Sequence, residues 1–252
     1  MVVAAIGTDL KKLFGDYHIY LCMIGLGLIN ILGYLCSLSS GVYRFGYVSS
    51  YRGVAESSEL LLLAFLLCVV GGSLLYCAEE KYGYLNFEIQ RVGVGRYTVS
   101  KLLTSFIGGF CTLVASSFIF LCGIIVHHYF ALGVISFGNE EWTGLFWMWM
   151  FAALRCGLLS VIGFLVSTYV PNYYIAMTMP LLIYYAILQV QHWIWVFFPT
   201  IPMQYQFSKI YMSGIIGDDM ERFAFAVVYT ACLCLIMYFM AKRCIERRLE
   251  HA

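Results

Sequence analysis

The chain has 252 residues, of which 62% are hydrophobic and 12% are charged, and its formal net charge is +1. A soluble domain of this length could not bury so much apolar surface, and a net charge near zero argues against nucleic acid as a partner. The composition therefore predicts an all-α integral membrane protein in a cell membrane, with no length left over for a soluble catalytic domain.

The first seventeen residues have an amphipathic pattern. Apolar residues recur at steps of three and four and would share one side of a helix, with Asp9, Lys12 and Asp16 elsewhere. This pattern predicts an interfacial helix over residues 1–17 that lies on the inner leaflet; a polar lead-in to the first span is the alternative. The apolar run before Lys11 is too short and mixed to indicate a signal peptide.

Six apolar segments are each close to the ~20 residues that a helix needs to cross about 30 Å of hydrocarbon. The fourth and fifth are separated by Pro171 and Asn172, which end one helix before the next begins. The predicted membrane spans are residues 18–38, 58–77, 102–125, 143–168, 174–197 and 222–241.

The distribution of Lys and Arg predicts the orientation. One side of the predicted topology collects ten basic residues in its short loops and termini, whereas the other side collects four: Arg44, Arg52, Lys209 and Arg222. The side with more basic residues is expected to be cytoplasmic. Both termini and the loop between spans two and three then lie in the cytoplasm.

That loop contains a short amphipathic segment. The residues on and beside its apolar face are Leu85, Glu88, Ile89, Arg91 and Val92. The segment predicts a helix that ends at Gly93 and Gly95 and can dock on a partner. A further helix is expected to restart at Arg96 and Tyr97, with Lys101 at the level of the lipid headgroups.

Arg155 is the one charge predicted well inside a span. Its burial in the membrane costs at least about 2.5 to 3.5 kcal/mol unless a partner compensates it. It is expected to pair with Glu59 at the outer end of span two or with backbone carbonyls. The alternative is that Arg155 contacts an anionic substrate or belongs to a gate.

Signatures of other chemistry are weak. Most of the ten cysteines fall in predicted spans and are expected to be packing residues, and the neighbours His127 and His128 point about 100° apart and have no third ligand nearby. Gly71-Gly72-Ser73 approaches the context of an intramembrane serine hydrolase, but Gly and Ser are routine where membrane helices pack. No catalytic, cofactor or metal site is therefore predicted.

The loop between spans two and three resembles that of the membrane subunits of ABC transporters of the ABC-2 type. Those permeases have an acidic residue ending span two, a Gly-containing turn, a short coupling helix, a basic-aromatic pair and a Lys opening span three. The matching positions here are Glu79 or Glu80, Gly83, residues 85–92, Arg96-Tyr97 and Lys101. The six spans and the amphipathic N-terminal helix extend the resemblance over essentially the whole chain.

The resemblance implies an exporter that works as two permease chains, alike or different, with two ATPase chains that bind ATP and Mg²⁺. This chain has no G-x-x-x-x-G-K-[ST] phosphate loop, in agreement with ATP hydrolysis in a separate subunit. The coupling helix would then contact the ATPase. Residues 198–221 resemble the re-entrant segments at the outer mouth of such permeases, where Tyr205 and Tyr211 would line a substrate exit.

Three alternatives remain at this point. Within transport, the compact length and small loops also suit a subunit that exports a bacteriocin or lantibiotic for self-protection. A membrane scaffold without transport activity comes next, and an intramembrane hydrolase is the most distant.

Overall fold

The computed structural model of the chain describes residues 2–39, 64–70, 75–132, 142–197 and 219–250. Every element in these ranges is helical, and no strand occurs in them. Residues 64–70 form a short helical stretch. The other helices are α1 (Val2–Gly15), α2 (Tyr17–Ser39), α3 (Leu75–Lys81), α4 (Leu85–Val92), α5 (Val94–Leu132), α6 (Trp142–Tyr169), α7 (Tyr173–Phe197) and α8 (Asp219–Glu250).

Four of the described helices contain segments that are long and apolar enough to cross a bilayer, which indicates a multi-pass membrane protein. The segments are Tyr17–Cys36, Val94–His127, Trp142–Tyr169 and Met220–Glu250. Together with α7, these helices contain five of the six predicted spans. Residues 58–63 and 71–74 of the span predicted over residues 58–77 lie outside the described residues, so six spans remain a prediction. The re-entrant segment predicted over residues 198–221 also remains a prediction, since residues 198–218 lie outside the described residues and residues 219–221 belong to the start of α8.

Helix α6 forms the centre of the bundle. In its most apolar stretch 78% of residues are buried, against 11% in that of α8, and α6 packs on α5, α7 and α8. Small residues allow the close approach of α5 to α6: a Cβ at Gly109 would lie 2.7 Å from the carbonyl oxygen of Cys156. Such contacts between small residues are typical of helix packing in membranes, where apolar burial alone does not hold helices together.

Helix α4 lies between two turns that each require a glycine. Gly83 has φ 74° and Gly93 has φ 86°, in the left-handed region that disfavours residues with a Cβ. The N–H of Tyr84 closes the first turn on the carbonyl of Glu79 at 2.9 Å, and the N–H of Gly93 closes α4 on the carbonyl of Ile89 at 2.8 Å. Helix α4 is therefore an eight-residue segment set off from α3 and α5 by a bend at each end.

Several helix ends meet at one end of the bundle, which we call the loop end. It consists of α1, α4, the end of α3, the start of α5 and the ends of α6 and α8. Three contacts join them: Arg248 of α8 binds Glu80 at 2.8 Å, the Arg248 guanidinium donates to the carbonyl of Tyr169 at 2.7 Å, and Lys101 of α5 binds Asp9 of α1 at 2.7 Å. The ten basic residues assigned to the cytoplasmic side by sequence lie on these helices and turns.

Candidate functional site

Helix α4 turns its apolar face towards the chain itself. Ile89 is 4% exposed and belongs to a buried cluster with Tyr76, Tyr97 and Ile245, while Leu85 packs against the same cluster. This corrects the expectation that Ile89 is available to a partner. The ends of α3, α5 and α8 cover this apolar face. The sequence pattern alone could not distinguish these helix ends from the surface of a partner.

The opposite face of α4 and the turn before it carry exposed aromatic side chains. Tyr82 is 68% exposed, Tyr84 is 62% exposed and Phe87 is 67% exposed. Of the five residues predicted to contact a partner, Arg91 is on this exposed face, whereas Leu85, Glu88 and Val92 are half-buried. A partner of the loop end would therefore meet Tyr82, Tyr84, Phe87 and Arg91, which we call the aromatic face.

Behind α4 lies a buried ion cluster centred on Lys101. Its side chain is 1% exposed, and its Nζ is 2.7 Å from a carboxylate oxygen of Asp9 and 2.5 Å from one of Glu79. Two hydroxyl groups complete the shell: Ser100 donates to Asp9 at 2.5 Å and Tyr97 donates to Glu79 at 2.7 Å. Burial of these charges is compensated by direct pairing and by hydrogen bonds to the remaining oxygens.

The cluster corrects two expectations from the sequence. Lys101 does not extend to the headgroup level but is enclosed by carboxylates. Asp9 is 4% exposed and lies on the same side of α1 as the buried Leu13, not away from the apolar side. The contact with the lipid surface that the sequence pattern predicts for α1 would involve its exposed side.

Glu88 and Lys12 connect α4 to this cluster. Lys12 contacts Glu88 directly and lies 3.2 Å from Glu79, and the second oxygen of Glu88 is 3.6 Å from Lys101. Three carboxylates and two ammonium groups thus join α1, α3, α4 and α5. The three carboxylates lie within 4.8 Å of one another, a spacing that suits a cation, and the ammonium group of Lys101 is the cation that they share.

Both partners of the Lys12–Glu88 contact have shifted pKa values. Partial burial works to raise the pKa of Glu88, but the hydrogen bond from Lys12 and the charges of Lys101 and Lys12 outweigh it and hold this pKa below its ordinary value. Burial works to lower the pKa of Lys12, but the hydrogen bond to Glu88 and the charge of Glu79 outweigh it and raise this pKa. Both groups are therefore charged at neutral pH, and the contact is an ion pair.

Several contacts join α4 to the rest of the chain. Ile89 packs with residues of α3, α5 and α8, and Glu88 pairs with Lys12 of α1 and lies 3.6 Å from Lys101 of α5. Helix α4 is thus connected to α5 and α8, two of the long apolar helices, by packed side chains and ion pairs.

Arg155 lies in the buried interior of α6 and is 7% exposed. Its guanidinium carbon is 4.9 Å from the ring centroid of Phe65, and its Nε has no hydrogen-bond partner among the described residues. Glu59, its predicted partner, and Tyr205 and Tyr211, the predicted lining of a substrate path, lie outside the described residues. The Arg155–Glu59 pair therefore remains a prediction.

The sequence showed no direct sign of the ion cluster, because its members come from positions up to 92 residues apart. One local signal was present. Lys101 borders a long apolar stretch, where its charge needs compensation, and two carboxylates, Asp9 and Glu79, border neighbouring apolar segments and could supply it. For His127 the structure shows an aromatic contact: its ring meets the ring of Tyr34 edge to face, with the centroids 5.5 Å apart.

Comparisons of the chain with protein-family models, with curated proteins and with solved structures found no match. A proposal for the function therefore rests on the chain's own residues and on the resemblance of its loop to that of ABC-2 permeases.

Proposed function

We propose that this chain is the membrane-spanning permease subunit of an ATP-driven exporter of the ABC-2 type, which moves a substrate out of the cytoplasm or the inner leaflet. A separate ATPase subunit would bind ATP and Mg²⁺ and dock at the loop end, and a second permease chain would complete the transporter. In this proposal the loop end and both termini are cytoplasmic.

The observation that carries the proposal is the construction of α4. An isolated eight-residue helix between two glycine turns has little stability of its own. Here it is held by Ile89 on one side and presents Phe87 and Arg91 on the other. A helix that is joined firmly to the membrane bundle and exposes aromatic and basic side chains, which are enriched at protein interfaces, is suited to receive movement from a partner.

The position of the basic residues supports the orientation. Lys81, Arg91 and Arg96 accompany α4, and Arg243 and Arg247 lie near the end of α8, all at the loop end. Arg222, assigned by sequence to the outer side, is near the start of α8 and therefore at the opposite end. Labelling of a single cysteine at position 86 by an impermeant reagent on intact cells, with the native cysteines removed, would contradict this orientation.

The test of the function is co-purification with the separate ATPase subunit that the proposal requires. We expect Phe87→Asp to reduce the amount of retained ATPase at least tenfold, because a charge would be placed in a desolvated contact. Since Phe87 is 67% exposed, the expression and melting temperature of the permease should stay as in the wild type.

Two variants control this experiment. Tyr174→Asp makes a comparable change at a 79% exposed aromatic residue in the first turn of α7, and should leave ATPase retention unchanged. Ile89→Asp should lower the melting temperature of the isolated permease, because Ile89 is buried within the chain. Full retention of the ATPase and full transport by the Phe87→Asp variant would contradict docking on α4.

A further inference from the structure

A cavity of about 560 Å³ lies beside the end of α8, outside the buried ion cluster. It is lined by Tyr169, Met240, Arg243, Cys244, Arg247 and Arg248. Five of these residues lie on α8, each three or four positions from another of the set, and so form a single helix face. The sixth, Tyr169, ends α6 and is 52% exposed. The cavity thus combines three guanidinium groups with one apolar and one aromatic side chain.

The three arginines differ in how they are used. Arg248 forms an ion pair with Glu80 and donates a hydrogen bond to the carbonyl of Tyr169. Arg243 and Arg247 are exposed, and neither forms an ion pair within the described part of the chain. The one helix-internal carboxylate between them, Glu246, pairs with Lys242 at 3.7 Å.

Two like charges at i and i+4 on a helix repel each other, and here they border a concave surface, with no ion pair to either guanidinium among the residues that the structure describes. Guanidinium groups placed in this way suit a phosphate group, which accepts several charge-assisted hydrogen bonds. A phosphate group between Arg243 and Arg247 would relieve their repulsion.

The surroundings indicate that the anion belongs to a lipid. Met240 precedes Arg243 by one turn of α8 and is 44% exposed, and the preceding turns present Leu235, Ile236 and Phe239, each more than half exposed. Moving along α8 from Phe239 to Arg247, the surface changes from apolar to cationic over about 12 Å. A phospholipid has the same sequence of groups, from acyl chain to phosphate, and arginines at the end of a span favour anionic headgroups.

We propose that Arg243 and Arg247, with Met240 and Tyr169, form a binding site for the phosphate of an anionic phospholipid at the loop end of α8. The acyl chains lie along the exposed apolar face of α8, and the phosphate lies between the two guanidinium groups. Arg248, which follows Arg247, pairs with Glu80, and Glu80 follows Glu79 of the ion cluster. The site depends on membrane embedding and not on the proposed transport.

The test uses the purified full chain without any ATPase. Binding of phosphatidylglycerol is followed by native mass spectrometry in detergent micelles that contain excess phosphatidylcholine. We expect one phosphatidylglycerol per wild-type chain, and binding about thirty-fold weaker for Arg243→Gln/Arg247→Gln, since each basic residue near an anionic surface contributes about fivefold. Lys11→Gln/Lys242→Gln removes the same charge from the loop end, away from the cavity, and should weaken binding less than threefold.

A second arm distinguishes the source of the phosphate. Inorganic phosphate is added to the chain in phosphatidylcholine alone, and no bound phosphate is expected because Met240 and the apolar surface of α8 then contribute nothing. Equal loss of phosphatidylglycerol in both double variants would reduce the site to general surface charge and overturn the proposal. Binding of inorganic phosphate that depends on Arg243 and Arg247, without phosphatidylglycerol binding, would show that the cavity binds a soluble anion. That result would overturn the proposal of a lipid site.

Discussion

Two buried cations in this chain have opposite surroundings. Lys101, at the loop end, is enclosed by the carboxylates of Asp9 and Glu79 within 2.7 Å. Arg155, inside α6, faces the ring of Phe65 and leaves its Nε without a hydrogen bond among the described residues. Both are less than a tenth exposed. The difference shows that burial alone does not tell how a charge is compensated. Among the described residues, Lys101 contacts carboxylates from two other helices, whereas Arg155 contacts the ring of Phe65.

This difference predicts that the two sites respond unequally to the loss of their charge. At Lys101 a neutral side chain removes the cation that two buried carboxylates share. At Arg155 it removes a charge whose burial is itself unfavourable in the bilayer.

The largest effect is expected for Lys101→Met. Because Asp9 and Glu79 then lose the cation that they share, and keep only the hydrogen bonds from Ser100 and Tyr97 and the contact of Glu79 with Lys12, we expect a loss of about 3 to 5 kcal/mol in the free energy of unfolding. Unfolding of the purified chain in mixed micelles with increasing SDS measures it. Adding Asp9→Asn and Glu79→Gln should recover part of the loss, whereas Lys242→Met, at an exposed pair, should change stability by under about 1 kcal/mol. A loss that the added substitutions do not reduce would contradict the pairing.

A smaller effect is expected for Arg155→Met. Loss of a desolvated cation–π contact costs about 2 kcal/mol, and relief of a charge in the middle of a span returns about 2.5 to 3.5 kcal/mol. The two nearly cancel, so the same unfolding measurement should stay within about 2 kcal/mol of the wild type. A loss as large as that of Lys101→Met would instead indicate a carboxylate partner, and an equal loss in Glu59→Gln would identify it as Glu59.

The smallest effect concerns the Lys12–Glu88 pair that joins α4 to the cluster. Glu88 has a lowered pKa in the folded chain, so its contribution to stability is present above its unfolded pKa, near 4.5, and is lost as pH falls through the lowered value. Lys12 has a raised pKa, so its contribution is present below about pH 10.5 and is lost as pH rises further. Lys12 is 46% exposed, which limits the pair to under about 1 kcal/mol.

Comparison of the wild type with Lys12→Gln isolates this pair from the other carboxylates. The difference between their melting temperatures should be present at pH 7 and should shrink below pH 4.5 as Glu88 becomes protonated. Lys11→Gln, one position away and exposed, serves as the control. A difference that grows on acidification would contradict the assigned sign.

The helices themselves were largely predictable. The spans predicted over residues 143–168 and 174–197 lie within one or two residues of α6 and α7, because apolar length and Pro171 determine where a membrane helix can begin and end. The membrane span in α5 was predicted over residues 102–125 and its helix was predicted to restart at Arg96 and Tyr97, whereas α5 begins at Val94, since no residue after Gly93 interrupts it. The amphipathic helix over residues 85–92 was predicted with its bounds but not with its orientation.

The sequence by itself determined that the protein is embedded in a membrane, where its apolar helical segments lie and at which end of the bundle its basic residues gather, because each of these follows from local composition and from the 3.6-residue period. Only the tertiary structure decided that Ile89 faces inward, that Asp9 reaches Lys101 and that Arg243 and Arg247 border a cavity. These properties depend on which helix ends meet at the loop end. The sequence of an apolar or charged face does not identify what the face contacts, because a neighbouring helix, a lipid and another chain make the same kinds of interaction with it.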